Sequence, residues 1–261
     1  MASGYLYDQA WHDERARLAG IEALWDEGTQ ALLARVTRPG SQVLEVGAGG
    51  GSVVAWLAEQ VGPAGSVLAV DLDTRFVEPL RSDVVDVRQA DVVNDELPEG
   101  VFDVVHARLL LEHLPQREQV LDTLVATLRP GGTLVAEDYD WTAFGWESAD
   151  DVEERVTEGI LQLMAAAGFD RTYGRRVVSA FADRGLEDVT GEGRSLVIDD
   201  AHPGFAFFQL SFEQAAPLAV EAGFMSAEDT ALVSERFAAG GRRLLTPTLV
   251  AAVGRAPLSA A

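Results

Sequence analysis

Cysteine is absent from the 261 residues, so neither a disulfide framework nor a thiolate metal site can form. Lysine is absent too: all 20 basic residues are arginine, and they face 42 Asp and Glu, a formal charge of −22. A surface of that sign repels phosphate backbones and anionic lipid, which argues against nucleic acid as substrate. With so much Ala, Gly and Val, the arginine-only usage points to a GC-rich genome; a halophilic surface is the rarer explanation. There are four histidines, His12, His106, His113 and His202, and none stands at metal-ligand spacing from another, so no metal is expected. No apolar run approaches a membrane span. The start, MASGYLYDQAWHDERARL, carries acids and lacks the apolar core of a signal peptide. A cytoplasmic protein without a membrane partner is expected.

What is present is a regular alternation. VLEVG, SVLAVDLD, VVDVRQAD, VFDVVHAR and GTLVAEDYD read as strands. SVVAWLAEQVG, TRFVEPLR and REQVLDTLVATLR lie between them and read as helices. Strands spaced by helices imply βαβ units, a parallel sheet and an α/β fold. Pro130-Gly131-Gly132 stops one helix and turns the chain into the next strand. Residues 8–36 read as two helices broken near Gly20 or Gly28, and 149–167 and 174–184 as two more. Leu186–Ile198 and Leu244–Val253 read as the last two strands. The expected organisation is a single domain over 1–261: a helical arm over 1–37, an α/β core over 38–198 and 241–256, and a helical insertion or lid over 199–240.

In the stretch VLEVGAGGGSV, Gly47, Gly49, Gly50 and Gly51 follow a buried strand and open a helix. Glycines let a ligand touch the backbone, and a helix start offers unpaired N–H groups. Ser52 occupies the place where a dinucleotide fingerprint needs its third small residue. Glu45, just ahead of the loop, suits a cationic ammonium better than a pyrophosphate. Asp71 ends the second strand, where it can accept from both ribose hydroxyls, and Asp91 ends the third, within reach of an adenine amino group. Each acid alone reads as an ordinary loop residue. Three at successive strand tips on one sheet edge are harder to dismiss.

The series EVGAGGGSV, AVDLD, QADV, FDVVHARLLLEHL and LRPGGTLVAEDYD, over residues 40–140, resembles the class I S-adenosylmethionine-dependent methyltransferases in order and spacing. The resemblance implies a Rossmann-like seven-stranded sheet whose final pair forms an antiparallel hairpin. It implies that Glu45, Gly47, Ala48 and Gly49 flank the methionine portion of S-adenosylmethionine. Asp71 and Leu72 would then border the ribose, Asp91 and Val92 the adenine, and Ala107 and Arg108 the amino-acid end.

The sulfonium is already activated, so catalysis is largely alignment. A general base matters only when the nucleophile arrives protonated, and His106 and His202 are the candidates. His113, in "EHL", reads as structural. The acceptor pocket is expected from parts outside the common core. Tyr139, Trp141 and Phe144 follow the fifth strand, Phe208 and Phe212 lie in the insertion, and Tyr7 and Trp11 belong to the arm. These rings could equally be the packing face of their helices. Their density favours a planar or apolar small molecule. Arg15 and Arg17 either reach the cofactor carboxylate or are solvated helix charges.

The leading expectation is a small-molecule methyltransferase of specialised metabolism. Alternatives are a cyclisation or elimination that uses the sulfonium as fixed charge, or a non-catalytic subunit of the same fold. A homodimer stays open.

Overall fold

The computed structural model describes residues 12–147 and 150–258. The sheet is nucleated by short β-branched runs. In β1 (Gln42–Val46) Val43, Leu44 and Val46 are all buried, because helices cover both faces. β2 (Ser66–Asp71) and β3 (Val85–Gln89) extend it on one side, β4 (Phe102–Arg108) and β5 (Leu128–Asp140) on the other, all parallel. β10 (Thr248–Arg255) inserts antiparallel between β5 and β7 (Glu187–Arg194), which gives a seven-stranded order β3-β2-β1-β4-β5-β10-β7. The carboxyl ends of β1 to β4 therefore gather on one edge, where open α/β sheets place their ligands.

One face carries α3 (Arg117–Thr127) and α5 (Gly174–Ala182), whose Leu121, Leu124, Val177 and Phe181 complete one core layer. α2 (Ser52–Val61) and the end of α1 (Glu14–Leu33) complete the other with Val54, Leu57, Leu32 and Leu33. A third apolar cluster joins the start of the chain to its end: Leu24 and Trp25 of α1 meet Tyr139 of β5 and Phe207 of α6 (Phe205–Glu221). α4 (Asp151–Ala166) packs on α6 and on α7 (Ala227–Ala239). Asp150 caps α4 through Val152 and Glu153 N–H, and Ser226 caps α7 through Asp229 N–H, each worth about 1 kcal/mol.

Four local expectations change. α1 is one uninterrupted helix, and its two glycines serve approach rather than breakage. A Cβ on Gly20 would lie 2.6 Å from the Phe207 backbone nitrogen, and one on Gly28 would strike the Arg194 guanidinium. TRFVEPLR forms only a 3-10 turn at Glu78–Leu80, because Pro79 cannot donate into a helical ladder. Leu186–Ile198 breaks after Arg194, and Leu244–Val253 breaks at Thr246-Pro247. The freed pieces, β8 (Val197–Asp199) and β9 (Arg243–Leu245), pair with β6 (Gly145–Trp146) in a small sheet of order β6-β9-β8. That sheet anchors both ends of the helical insertion.

Candidate active site

β1 runs into a loop in which Gly47, Gly49 and Gly51 have φ of 75°, 51° and 88°, a region that side chains strain. Gly47 and Ala48 N–H donate to the Val70 carbonyl at 2.9 and 3.2 Å, which ties the loop to β2. Asp71, at the tip of β2, accepts from Gly49 N–H at 2.8 Å and Asp73 N–H at 3.0 Å. Burial pushes its carboxyl upward in spite of those bonds. Asp91, past the tip of β3, accepts from Val93 N–H at 3.0 Å and Asn94 Nδ2 at 2.7 Å.

These tips surround a cleft of roughly 1220 Å³ measured to its open mouth. Glu45, Gly47, Ala48, Gly49, Asp71, Leu72, Asp91, Val92 and Arg108 all line it. Ala107 does not: at 1% exposure it points into the core between β1 and β5. A floor of bare backbone, fronted by the carboxylates of Glu45, Asp71 and Asp91, fits a cationic ligand with hydroxyl and amino donors. S-adenosylmethionine has that donor set, and the residues present suit it.

The roof of the cleft is α1. Leu18, Ile21 and Glu22 line it, and a Cβ on Gly50 would lie 2.1 Å from Glu22 Oε1. Arg15 bonds Glu22 at 3.0 Å, with its guanidinium beside Gly50 at the rim of the cleft. Arg17 is not solvated. It is buried against Glu14 (2.7 Å) and lies 5.7 Å from the Phe207 ring. Tyr7 and Trp11, the arm's expected aromatic contacts, lie outside the described residues.

His106 is fully buried, which removes it as a base for an acceptor. The register of β1 against β4 sets it opposite Glu45. Its Nδ1 is 2.7 Å from Glu45 Oε2 and its Nε2 3.5 Å from Glu137 Oε2. Burial alone would lower its pKa, but the two carboxylates outweigh burial and raise it to about 9. Glu137 has burial against it as well, and His106, Arg194 and Arg108 hold it below the usual carboxylate range. Thr29 Oγ1 donates to Glu137 at 2.5 Å, while Arg108 donates to Thr29 (3.0 Å) and Asp26 (2.9 Å). The network braces the glycine loop from below and ties it to α1. His202 is likewise misplaced for catalysis: its Nδ1 accepts from Gly204 N–H at 3.0 Å, closing the turn that starts α6.

Next to the cleft, between α4, α6 and α7, lies a chamber walled by aromatic rings. Trp141, Phe144, Phe208 and Phe212 line it, joined by Trp146 and Phe207 and by Phe237, of which only Phe237 is unmarked in the sequence. Tyr139 does not line it. Its hydroxyl accepts from Trp25 Nε1 at 2.6 Å, and its ring is packed between arm and insertion. Asp138 is buried and accepts from Glu112 N–H at 3.1 Å, while Asp140 pairs with Arg175 at 2.7 Å. Two residues stand between cleft and chamber. Leu109, non-glycine yet at φ 54°, lines the cleft and packs on the cluster that holds Phe207 and Phe208. His113 also lines the cleft, and its ring is 5.0 Å from Phe169, which in turn is 6.5 Å from Trp141. Burial, then Arg17 and Arg117, push the His113 pKa down to about 3. Nothing in the sequence marks Leu109, whose interest is its backbone. Among the described residues no group of three His, Asp or Glu could hold a metal.

Residues 44–136 match the family described as "Methyltransferase domain". An uncharacterised 37.1 kDa protein in transposon Tn4556 of Streptomyces fradiae is 28% identical over 90% of this chain and 68% of its own length. Methyltransferase str2 of Strobilurus tenacellus is 36% identical over 51% of this chain and 49% of its own length, so the chain spans about half of that relative. Among solved structures, a Haemonchus contortus phosphoethanolamine N-methyltransferase 2 in complex with S-adenosyl-L-methionine superposes with a TM-score of 0.56. It is 16% identical, covering 96% of this chain and 59% of that one. At that identity the likeness concerns the fold.

Proposed function

We propose, from the match of residues 44–136 to the methyltransferase domain family, that this chain is a class I S-adenosylmethionine-dependent methyltransferase and that it methylates a small, flat, largely apolar acceptor. The observation that carries the proposal is the aromatic chamber set against the cofactor cleft, with Leu109 as the partition between them. S-adenosylmethionine supplies a methyl group already activated on sulfur. The protein's work is then to hold the acceptor in line and keep water out. Trp141 and Phe144, with ring centroids 5.1 Å apart, and Phe208, stacked on Phe144 at 5.6 Å, offer flat faces for such a molecule. The formal charge of −22 favours an acceptor that is not polyanionic.

The imidazole that borders the cleft, His113, is too weakly basic to draw a proton from an ordinary hydroxyl. Alignment therefore carries the reaction. Glu45, Asp71 and Asp91 hold the cofactor, Leu109 sets the line of approach, and the rings fix the acceptor plane.

The test is turnover on a panel of naphthols, flavones and related flat phenols, with product mass and S-adenosylhomocysteine followed together. A product heavier by one methyl, formed one-to-one with S-adenosylhomocysteine, is expected. A changed product without S-adenosylhomocysteine would point to cyclisation or elimination. Turnover confined to peptides or nucleic acids would overturn the reading.

A further inference from the structure

The chamber is not apolar throughout. Glu153, on the first turn of α4 and 5% exposed, lines it. Its two arginine partners share one oxygen: Arg242 Nη2 lies 2.6 Å and Arg236 Nη1 3.1 Å from Oε1. Oε2 is buried and, among the described residues, meets no donor. An ionised carboxylate can only accept, so this atom can take an N–H or O–H from an occupant of the chamber, in competition with Arg242 Nε, which is likewise buried and without a partner among the described residues. The arrangement is stiff, because the Arg242 guanidinium sits 4.1 Å from the Trp146 ring centroid and 5.1 Å from that of Phe237. Ser211 Oγ, on α6 and also lining the chamber, is a second buried polar atom without a partner.

The position of Glu153 matters as much as its chemistry. Along α4 it lies about 16 Å from Met164 by helical rise. Met164 packs with Phe169, the ring beside His113 at the cofactor cleft. Glu153 thus stands at the chamber end away from that cleft. Trp141, Phe144 and Trp146 lead from one end to the other with centroid steps of 5.1 and 5.9 Å.

Resting on the reading of this chamber as the acceptor pocket, we propose that Glu153 Oε2 is the acceptor's distal anchor. The molecule it fits is elongated and flat, with a hydroxyl or amine at the end remote from the methyl-transfer site and no anionic group there. A carboxylate at that end would meet Glu153 in a water-poor site and be rejected.

Binding of naphthalene, 2-naphthol and 2-naphthoate to the protein saturated with S-adenosylhomocysteine, followed by tryptophan quenching, tests the anchor. In the wild-type chain 2-naphthol should bind about tenfold tighter than naphthalene, and 2-naphthoate more weakly than either. Glu153→Gln keeps the shape but can donate, so it should reduce the 2-naphthol preference and admit 2-naphthoate. Equal binding of naphthalene and 2-naphthol, or tightest binding of 2-naphthoate, overturns the anchor while leaving the chamber reading intact. Binding of S-adenosylhomocysteine with none of the three probes overturns the chamber reading itself. The wild-type series decides even if the Glu153→Gln melt shows a damaged fold.

Discussion

The cofactor cleft and the aromatic chamber adjoin one another yet are made of different material. The cleft is backbone and carboxylates on the edge of a rigid sheet, with glycines in left-handed conformations and a buried ionic brace beneath. The chamber is rings on two helices and a loop, closed by aliphatic side chains of a third helix, with few polar atoms. The contrast matches the two ligands of the proposed reaction. A fixed, cationic, hydroxylated ligand is best met by oriented donors and acceptors whose positions the sheet register sets. A flat apolar one is met by area and shape, which helices can vary without disturbing the sheet. The two regions should therefore fail separately.

The largest expected effect lies under the cleft. His106→Ala leaves Glu45 and Glu137 buried without their shared partner and should cost about 3–5 kcal/mol, read from urea denaturation at pH 7. Wild-type stability should carry the same signature in pH. The folded value of about 9 stands above the ordinary 6.5. The contribution, on the order of 3 kcal/mol, is complete below pH ~6.5 and is lost as pH rises through about 9. Glu137 works in the opposite direction: held low in the fold, its contribution is present above the ordinary carboxylate range and fades as pH falls. A stability curve flat from pH 6 to 9.5 would mean that the brace is not ionic.

Next comes Asp71→Ala, which removes a carboxylate from the cleft. It should weaken S-adenosylhomocysteine by about 1.5–3 kcal/mol in calorimetry, and unchanged affinity would remove Asp71 from the cofactor site. On the chamber side, Phe208→Ala should lower acceptor kcat/KM about tenfold and leave S-adenosylhomocysteine affinity within about threefold, given independent sites. Phe208 and Phe212 are both buried, so each is packing as well as wall, and truncation should also cost roughly 3–5 kcal/mol in thermal melts. A Phe208→Ala chain that loses the cofactor would dissolve the division between the regions. The smallest effect is none: chelation should leave turnover unchanged, and activity lost to EDTA and restored by magnesium would show that the acids near Asp138 and Asp140 do more than cap turns and pair with arginine.

The same division explains what could be read in the sequence. The cleft is written in contiguous runs, since one strand, its loop and the next helix start carry Glu45 to Ser52, and single acids mark the following tips. The first five strands and nine of the residues round the cleft were legible for that reason, whereas the strand order was not. His106 was not, because a histidine near a strand end looks the same whether it faces a ligand or a neighbouring strand. Only the pairing of β4 with β1 shows that it faces Glu45. Glu153 was illegible for another reason: an acid in the first turn of a helix ordinarily answers the helix dipole in solvent. Its burial depends on Arg236 and Arg242, more than eighty residues later. The glycines of α1 misled because helix-breaking and close packing call for the same residue.

At Gly20 the roof of the cleft and a wall of the chamber meet almost backbone to backbone, since nothing larger than hydrogen fits against the Phe207 nitrogen. Neither α1 nor α6 can swing away alone without tearing that seam. A methyl group at position 20 would wedge the two helices apart, so Gly20→Ala should loosen roof and wall together, read as faster amide exchange in both α1 and α6.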